Sequence, residues 1–325
     1  MNTQNENQKL NPSTSKSRGC LIWLGRIVAA VIGLALVGYI YEPIAEAADA
    51  KAYPPPGQLV DVGGYRLHIN CTGSGSPTVV IVAGAGDWST TWGVVQPEVA
   101  KTTRVCTYDR AGLGWSDSST LPHDAAQFAK ELHTLLQNAN VPGPYVMVGH
   151  SLGGFIVRVF AHDYASEVLG VVLVDSMNPK QVSESTSRKL ALVYSIQAAL
   201  ARFGIARLIV KLPAIASSVP PSEAAYYPLY IRPGSLRATI NEYQTLPSSA
   251  AEAAAVKTFG SLPLIVLTAK LNDNPGWPEW QTELLQLSSN SQHLFAENSG
   301  HTIQLDEPEA AVAAILQMVQ QVRKK

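Results

Sequence analysis

The chain has 325 residues, of which 46% are hydrophobic and only 15% are charged, and its formal net charge at pH 7 is −1. This near-neutral balance, without a Lys/Arg stripe, provides no electrostatic basis for nucleic-acid binding. The three cysteines, Cys20, Cys71 and Cys106, lack metal-site spacing, and no Walker or dinucleotide fingerprint is present, so neither a metal nor a cofactor is expected.

The N-terminal region is predicted to precede the folded domain. Residues 1–19 are polar, and we expect them to form a disordered cytoplasmic tail. Residues 20–41 are apolar over about the length that a helix needs to cross a bilayer. Basic residues precede this stretch and acidic residues follow it, which by the positive-inside rule places the rest of the chain on the non-cytoplasmic side.

A cleaved signal peptide is the alternative to a membrane anchor. Residues 45–47 (Ala-Glu-Ala) match a small-x-small cleavage site, and cleavage there would give a secreted or periplasmic protein. The anchor is favoured because the apolar stretch is long. Residues 42–58 contain the run Tyr-Pro-Pro-Pro-Gly and are predicted to be a Pro-rich linker to a domain at 59–325.

Apolar runs and helical patterns alternate along this domain. Gly63-Gly64 marks a first hairpin. The later pattern predicts strands near 78–83, 104–108, 145–149, 170–175, 263–268 and 292–297, and helices near 124–140, 153–165, 279–288 and 308–323. Such alternation is typical of a mostly parallel sheet covered on both faces.

Residues 178–259 interrupt the alternation. Helical periodicity is present at 187–212 and again at 250–257, whereas the prolines between these stretches are expected to break up the helices. We interpret the segment as a helical lid whose apolar face lines a pocket and excludes water.

The most informative motif is Gly149-His150-Ser151-Leu152-Gly153-Gly154. An apolar strand precedes it and a helical pattern follows it, which is the context of a nucleophile elbow. The glycines allow a strained turn that exposes the hydroxyl of Ser151. A serine nucleophile requires a base, and His301 is the favoured candidate because it follows the last predicted strand on a loop.

These motifs resemble the α/β-hydrolase fold, in particular its lipase, esterase and proline-iminopeptidase-like members. Besides the elbow, the markers are Asp109-Arg110-Ala111-Gly112-Leu113-Gly114-Trp115-Ser116 and Ser299-Gly300-His301. The resemblance runs from about Gly57 to the C-terminus and implies a mostly parallel eight-stranded sheet flanked by helices. Relatives with an aspartate nucleophile are disfavoured, because Ser151 occupies that position.

The resemblance also leads to candidates for the remaining catalytic groups. The acid is expected at a strand end: Asp175 is favoured by a small margin, and Asp273 is the alternative. The oxyanion hole is expected to use the amides of Leu152, which follows the nucleophile, and Ala85, in the Gly-rich loop after the 78–83 strand. Cys71 and Cys106 fall on strands that are neighbours in this fold, so either a disulfide or two buried thiols is expected.

The predicted activity is hydrolysis of a carboxylic ester, or of a related small acyl compound, through an acyl-enzyme. A non-hydrolytic ligand receptor on the same fold is the alternative from another class, and an acyltransferase or lyase that uses the same serine is a further one. The membrane is the other expected partner, through the N-terminal helix. The sequence does not predict an oligomeric state.

Overall fold

The computed structural model describes residues 13–212 and 221–324. Its centre is an eight-stranded sheet with strand order β1-β2-β4-β3-β5-β6-β7-β8. Only β2 runs antiparallel to its neighbours, so the predicted mostly parallel sheet is confirmed. The strands are β1 (Gln58–Asp61), β2 (Arg66–Thr72), β3 (Thr78–Val82), β4 (Val105–Tyr108), β5 (Tyr145–His150), β6 (Val168–Val174), β7 (Leu264–Ala269) and β8 (Ser291–Ala296).

Helices cover both faces of the sheet, because its central strands are apolar on both sides. Alternate residues of β3 show the two layers: Val79 and Ile81 belong to one buried cluster, and Val80 and Val82 belong to another. The first cluster includes residues of α2 (Val95–Ala100) and α12 (Pro308–Arg323), and the second includes residues of α3 (Ala125–Asn138) and α4 (Gly153–Asp163). Two further helices, α10 (Trp277–Leu284) and α11 (Ile303–Asp306), follow β7 and β8.

A disulfide joins the antiparallel strand β2 to the parallel part of the sheet. Cys71 and Cys106 lie directly opposite each other in the register of β2 and β4, and their sulfur atoms are bonded. Of the two expectations for this pair, the structure therefore contains the disulfide.

The N-terminal segment is one helix, α1 (Ser13–Ala52), of 40 residues. Within its part from Cys20 to Ala52, an 18-residue stretch has a mean hydropathy of 2.4, and that stretch is not buried in the protein. The helix extends beyond the predicted apolar segment at both ends. It includes 13–19 of the predicted tail, whose residues 1–12 lie outside the described part, and 42–52 of the predicted linker. Alanine is frequent in 42–52, and its high helix propensity explains this continuation.

Residues 178–259 form an insertion between β6 and β7. Its helices are α5 (Glu184–Ala201), α6 (Ile205–Ile209), α7 (Pro221–Ala224), α8 (Tyr227–Tyr230) and α9 (Pro233–Ala255). The predicted helix 187–212 is divided at Gly204, which adopts a φ of 68°. The predicted helix 250–257 is instead the end of α9, which has 23 residues. Pro213 and Pro220 lie outside the described residues.

The apolar face of α5 differs from the expectation for a lid that lines a pocket. Leu192, Val193 and Ile196 are 62%, 49% and 55% exposed, whereas the side of α5 that packs on α9 contains the buried Ser187 and Ala191. The small residues allow the two helices to approach closely. The large apolar side chains of α5 consequently point away from the protein.

Candidate active site

The candidate site lies at the edge of the sheet where the parallel strands end. Because β3, β5, β6, β7 and β8 run in the same direction, the loops that follow them meet at this edge. Ser151 follows β5, Asp175 follows β6 and His301 follows β8.

Ser151 occupies a strained turn between β5 and α4. Its φ is 52°, a left-handed conformation that is rare for residues other than glycine. The turn requires close packing of strand and helix: a Cβ on Gly149 would lie 2.7 Å from the carbonyl oxygen of Gly153, and one on Gly153 would overlap the carbonyl oxygen of Val82. Ser151 is 9% exposed, so its surroundings are largely dry.

The structure brings His301 and Asp175 together. Nδ1 of His301 lies 2.7 Å from Oδ2 of Asp175, which is fully buried at the end of β6. Asp175 has a φ of 40°, so the chain bends sharply where the strand ends. A neutral His301 with its proton on Nδ1 would donate to this carboxylate and leave Nε2 as an acceptor.

Three further donors hold the Asp175 carboxylate. Oδ1 accepts from the amide of Ala269 at 2.9 Å and from the indole Nε1 of Trp277 at 2.8 Å. Oδ2 accepts from Nδ2 of Asn272 at 2.7 Å in addition to His301. Hydrogen bonds to an ionised carboxylate are among the stronger ones in proteins, so the Asp175 carboxylate is fixed in position although it is buried.

Asn272 and Trp277 were not identified from the sequence. Both come from the segment after β7, about a hundred residues from Asp175, and no local motif marks them. Asp273, the alternative acid, is adjacent to Asn272 but is exposed, and it has no hydrogen bond or ion pair within the described ranges 13–212 and 221–324. The end of β7 therefore supplies an amide to Asp175 and not a carboxylate to His301.

The loop after β3 lies against the elbow. A Cβ on Gly84 would be 3.2 Å from Cβ of Ser151, so only a glycine fits at this position without displacement. Arg110 binds two carbonyl groups of the loop. Its Nη1 donates to the carbonyl oxygen of Ala83 at 2.7 Å, and its Nη2 donates to that of Gly84 at 2.5 Å. The amides of Ala85 and Leu152 have no acceptor within the described part of the chain, which leaves them free to bind an oxyanion.

Arg110 is itself held by the insertion. Its Nε donates to Oε1 of Glu242 on α9 at 2.6 Å, and both side chains are almost fully buried. Oε2 of Glu242 accepts from the amide of Gly86 at 2.8 Å. Burial opposes the charge on Arg110, but Glu242, together with Tyr108 and Asp87, outweighs it and raises the pKa of the guanidinium. This ion pair fixes the loop after β3 to the insertion.

A second carboxylate, Asp87, ends the same loop. Burial raises the pKa of Asp87 to about 6, and Glu223 and Glu242 add to this effect, whereas Arg110 and His301 oppose it. Carboxylates with raised pKa values are frequent in active sites, although no motif in the sequence marks Asp87 as a functional residue.

His150, beside the nucleophile, has the environment of a structural residue. Burial, and then the neighbouring His301, lower the pKa of His150 to about 3, so the ring stays neutral. Its Nε2 lies 2.9 Å from the carbonyl oxygen of His301. His150 therefore supports the loop of His301, and its ring does not change its protonation state near neutral pH.

The comparison with known families agrees with this architecture. The family model described as "Alpha/beta hydrolase family" matches residues 79–315, which include nearly all of β3, the elbow, the insertion and the first half of α12. The chain belongs to the alpha/beta hydrolase family. The family match thus confirms the resemblance inferred from the motifs.

The family match identifies the fold family of this alpha/beta hydrolase, whereas its individual relatives do not identify its reaction. An uncharacterized protein of Schizosaccharomyces pombe, C23C11.06c, is 27% identical over 293 residues, which are 79% of this chain but only about half (54%) of that protein. Two solved structures are each 21% identical and cover 82% of the chain and 98% of their own: the epoxide hydrolase CorEH, with a TM-score of 0.67, and a thermophilic esterase from Thermogutta terrifontis with malate bound, with a TM-score of 0.66. At this identity the likeness establishes the fold alone.

Proposed function

We propose that the chain is a serine hydrolase that cleaves a carboxylic ester through an acyl-enzyme, with Ser151, His301 and Asp175 as the catalytic triad. The observation that carries this proposal is the 2.7 Å contact between His301 and the buried Asp175, at the sheet edge where Ser151 occupies its strained turn. Nucleophile, acid and base follow one another in the chain order typical of this fold.

The reaction proceeds in two steps. Oγ of Ser151 attacks the ester carbonyl while Nε2 of His301 takes the hydroxyl proton and then delivers it to the leaving alcohol. The carbon–oxygen bond to the alcohol breaks, and the acyl group remains on Ser151. Water then attacks the acyl carbon while His301 takes a proton from it, the bond to Oγ of Ser151 breaks, and His301 returns the proton to Ser151 as the acid is released. The amides of Ala85 and Leu152 stabilise the oxyanion in both steps.

The charges near the site favour an uncharged substrate. Glu223 and Glu242 are both close enough to Asp87 to raise its pKa, and Arg110 acts on the same carboxyl in the opposite direction. An anionic substrate would be repelled by the excess of negative charge. The insertion acts as the lid over the site in this proposal, since Glu242 on α9 already binds the loop of Ala85.

The first experiment treats the full chain with a fluorophosphonate probe and locates the label by peptide mass spectrometry, beside a Ser151→Ala variant. Label on Ser151, absent from the variant, together with hydrolysis of short nitrophenyl esters, is expected. A folded chain without label and without turnover would contradict the proposal and favour a receptor. Formation of a new ester in added alcohol, without free acid, would instead identify an acyltransferase.

We propose further that α1 anchors the enzyme in a membrane with the catalytic domain on the non-cytoplasmic side. The length and hydropathy of α1 support the anchor, and the Cys71–Cys106 disulfide supports an oxidising compartment. In a Cys20→Ser background, Ser166→Cys supplies one exposed thiol on the domain. A membrane-impermeant maleimide is expected to label this thiol in intact cells, and labelling only after lysis would contradict the orientation.

A further inference from the structure

The insertion presents an apolar surface that is largely exposed in the described part of the chain. On α5 and the turn after it, Leu192, Ile196 and Phe203 are exposed at near-helical spacing. On α6 and just beyond it, the exposed apolar residues are Ile205, Leu208, Ile209 and Leu212, which are spaced i, i+3, i+4, i+7. That spacing places them on one side of a helix. We call these seven residues the outer face of the insertion.

The outer face is attached directly to α1. Gly38 packs so closely on the backbone of Phe203 that a Cβ at position 38 would overlap its carbonyl group, and the rings of Tyr39 and Phe203 are 6.3 Å apart. On the side of α6 opposite its apolar stripe, Arg207 donates to Glu42 at 2.8 Å and forms an ion pair with Asp49 at 2.7 Å. Packing and charge thus fix α6 to α1.

These contacts determine the depth of the insertion relative to a bilayer. Gly38 and Tyr39 belong to the apolar segment 20–41, at its C-terminal end. A residue that packs on them lies at the boundary between acyl chains and headgroups when α1 spans the membrane. Glu42 and Asp49, one to three turns further along α1, lie beyond that boundary, where their charges remain hydrated or paired.

The charged residues in the first part of the insertion also suit a position at the boundary between acyl chains and headgroups. Residues 184–212 contain five basic residues and one acidic residue, Glu184. The basic residues are Arg188, Lys189, Arg202, Arg207 and Lys211. An exposed apolar stripe flanked by lysine and arginine is typical of helices that lie in the interface of a bilayer with anionic lipids.

We propose that the outer face lies in the non-cytoplasmic interface of the bilayer that α1 crosses, so that lipid acyl chains cover it. This inference rests on the proposed membrane anchor. A surface for a second copy is less well supported, because the outer face continues without interruption into the apolar segment of α1. The candidate site then sits close to the lipid surface, with the insertion between Ser151 and the membrane.

The test uses the full chain reconstituted in vesicles of phosphatidylcholine and phosphatidylglycerol. In a Cys20→Ser background, Ile196→Cys or Leu208→Cys carries an environment-sensitive fluorophore. Ser166→Cys is the matched control, because it is exposed just before β6, at the sheet edge opposite Ser151. Quenching is measured with doxyl-labelled lipid and with aqueous iodide, and neither measurement requires turnover.

Doxyl lipid is expected to quench the labels at 196 and 208 several-fold more than the label at 166, and iodide is expected to show the reverse order. Equal access of iodide to all three labels would overturn the proposal. So would protection from both quenchers combined with cross-linking between copies through the cysteines at 196 or 208, which would identify a second copy as the cover. Fluorophosphonate labelling of Ser151 in the same samples reports separately on the proposed catalysis.

Discussion

Among single residues, Asp175 carries the sharpest prediction about catalysis. Its Oδ2 accepts from His301 and Asn272, so an amide at this position would place an NH₂ group against a donor or force the imidazole into the wrong tautomer. We expect Asp175→Asn to lower kcat by about 10³–10⁴-fold without unfolding the protein. Ester hydrolysis and thermal melting of the same samples check both parts.

Asp273→Asn is the matched control for this substitution. Asp273 is exposed and adjacent to Asn272, so its change leaves the contacts of Asp175 intact. We expect its kcat to equal that of the unmodified chain. A loss comparable to that of Asp175→Asn would mean that Asp273 supplies the acid in solution.

Asp87 links the site to the pH dependence of stability. Because its pKa rises from 3.8 to about 6 on folding, the folded state holds this proton more tightly than the unfolded state does. Stability is therefore lost as the pH rises from about 4 to about 6, by roughly 1–3 kcal/mol, and the loss is constant above that range. Asp87→Asn is expected to remove it.

The melting temperature of Asp87→Asn, measured against the unmodified chain from pH 4 to pH 8, checks this expectation. The difference should grow up to about pH 6 and then stay level. The exposed Asp273→Asn should give a difference that does not vary over the same range. A pH-independent difference for Asp87→Asn would contradict the expectation, because it would show that ionisation of Asp87 costs no more free energy in the folded state than in the unfolded state.

The sequence could identify candidate residues only where the chemistry is local. Gly149 to Gly154 form a contiguous pattern with a strand before it and a helix after it, and His301 follows the last strand. The choice between Asp175 and Asp273 depended on which carboxylate the fold turns inward. Asn272 and Trp277 reach Asp175 only through the tertiary structure, so no spacing in the sequence predicts them.

At the scale of elements, the elbow depends on close packing of α4 against β3 and β5. A methyl group on Gly153 would overlap the carbonyl oxygen of Val82 on β3, and two packed backbones would have to separate to admit it. We expect Gly153→Ala to lower the free energy of unfolding by several kcal/mol, as overpacking of a buried site does. Urea unfolding followed by circular dichroism measures the change.

Gly234→Ala provides the opposite case on a helix. A Cβ at position 234, in the first turn of α9, would meet no atom within 4 Å. Since alanine has the higher helix propensity, we expect a gain of roughly 0.5–1 kcal/mol. Equal effects of the two substitutions would mean that general propensity, and not contact with β3, determines which residues the elbow tolerates.

Prediction of elements was accurate for the sheet and less so for the helices. Valine-rich runs such as 170–175 have one stable environment, the interior of a parallel sheet, and the strands fall within a few residues of the expected ranges. In the insertion, Pro233 was expected to break a helix but begins α9, where its missing N–H costs nothing. Local sequence does not distinguish these two roles of proline.

At the scale of the whole molecule, Arg207 connects α1 to the α/β-hydrolase domain. Its side chain is 12% exposed and pairs with Glu42 and Asp49, which are 3% and 16% exposed. Removal of one member of a buried ion pair is costly because the remaining charges lose their partner. We therefore expect Arg207→Gln to release α6 from α1 and to increase amide hydrogen exchange in peptides that cover 202–212.

Arg188→Gln distinguishes this effect from a general loss of charge. Arg188 pairs with Glu184 on the exposed side of α5, where both side chains are more than 70% exposed, and such pairs contribute little to stability. Exchange in 202–212 should stay unchanged in this variant. If exchange rises equally in both variants, the ion pairs of Arg207 are not what holds α6 on α1. The net charge of the insertion would then control the position of α6, and the packing of Gly38 and Tyr39 on Phe203 would not suffice to attach it. If only Arg207→Gln responds, α1 and the insertion behave as one mechanical unit, and in the proposed membrane-bound state α1 sets the orientation of the α/β-hydrolase domain.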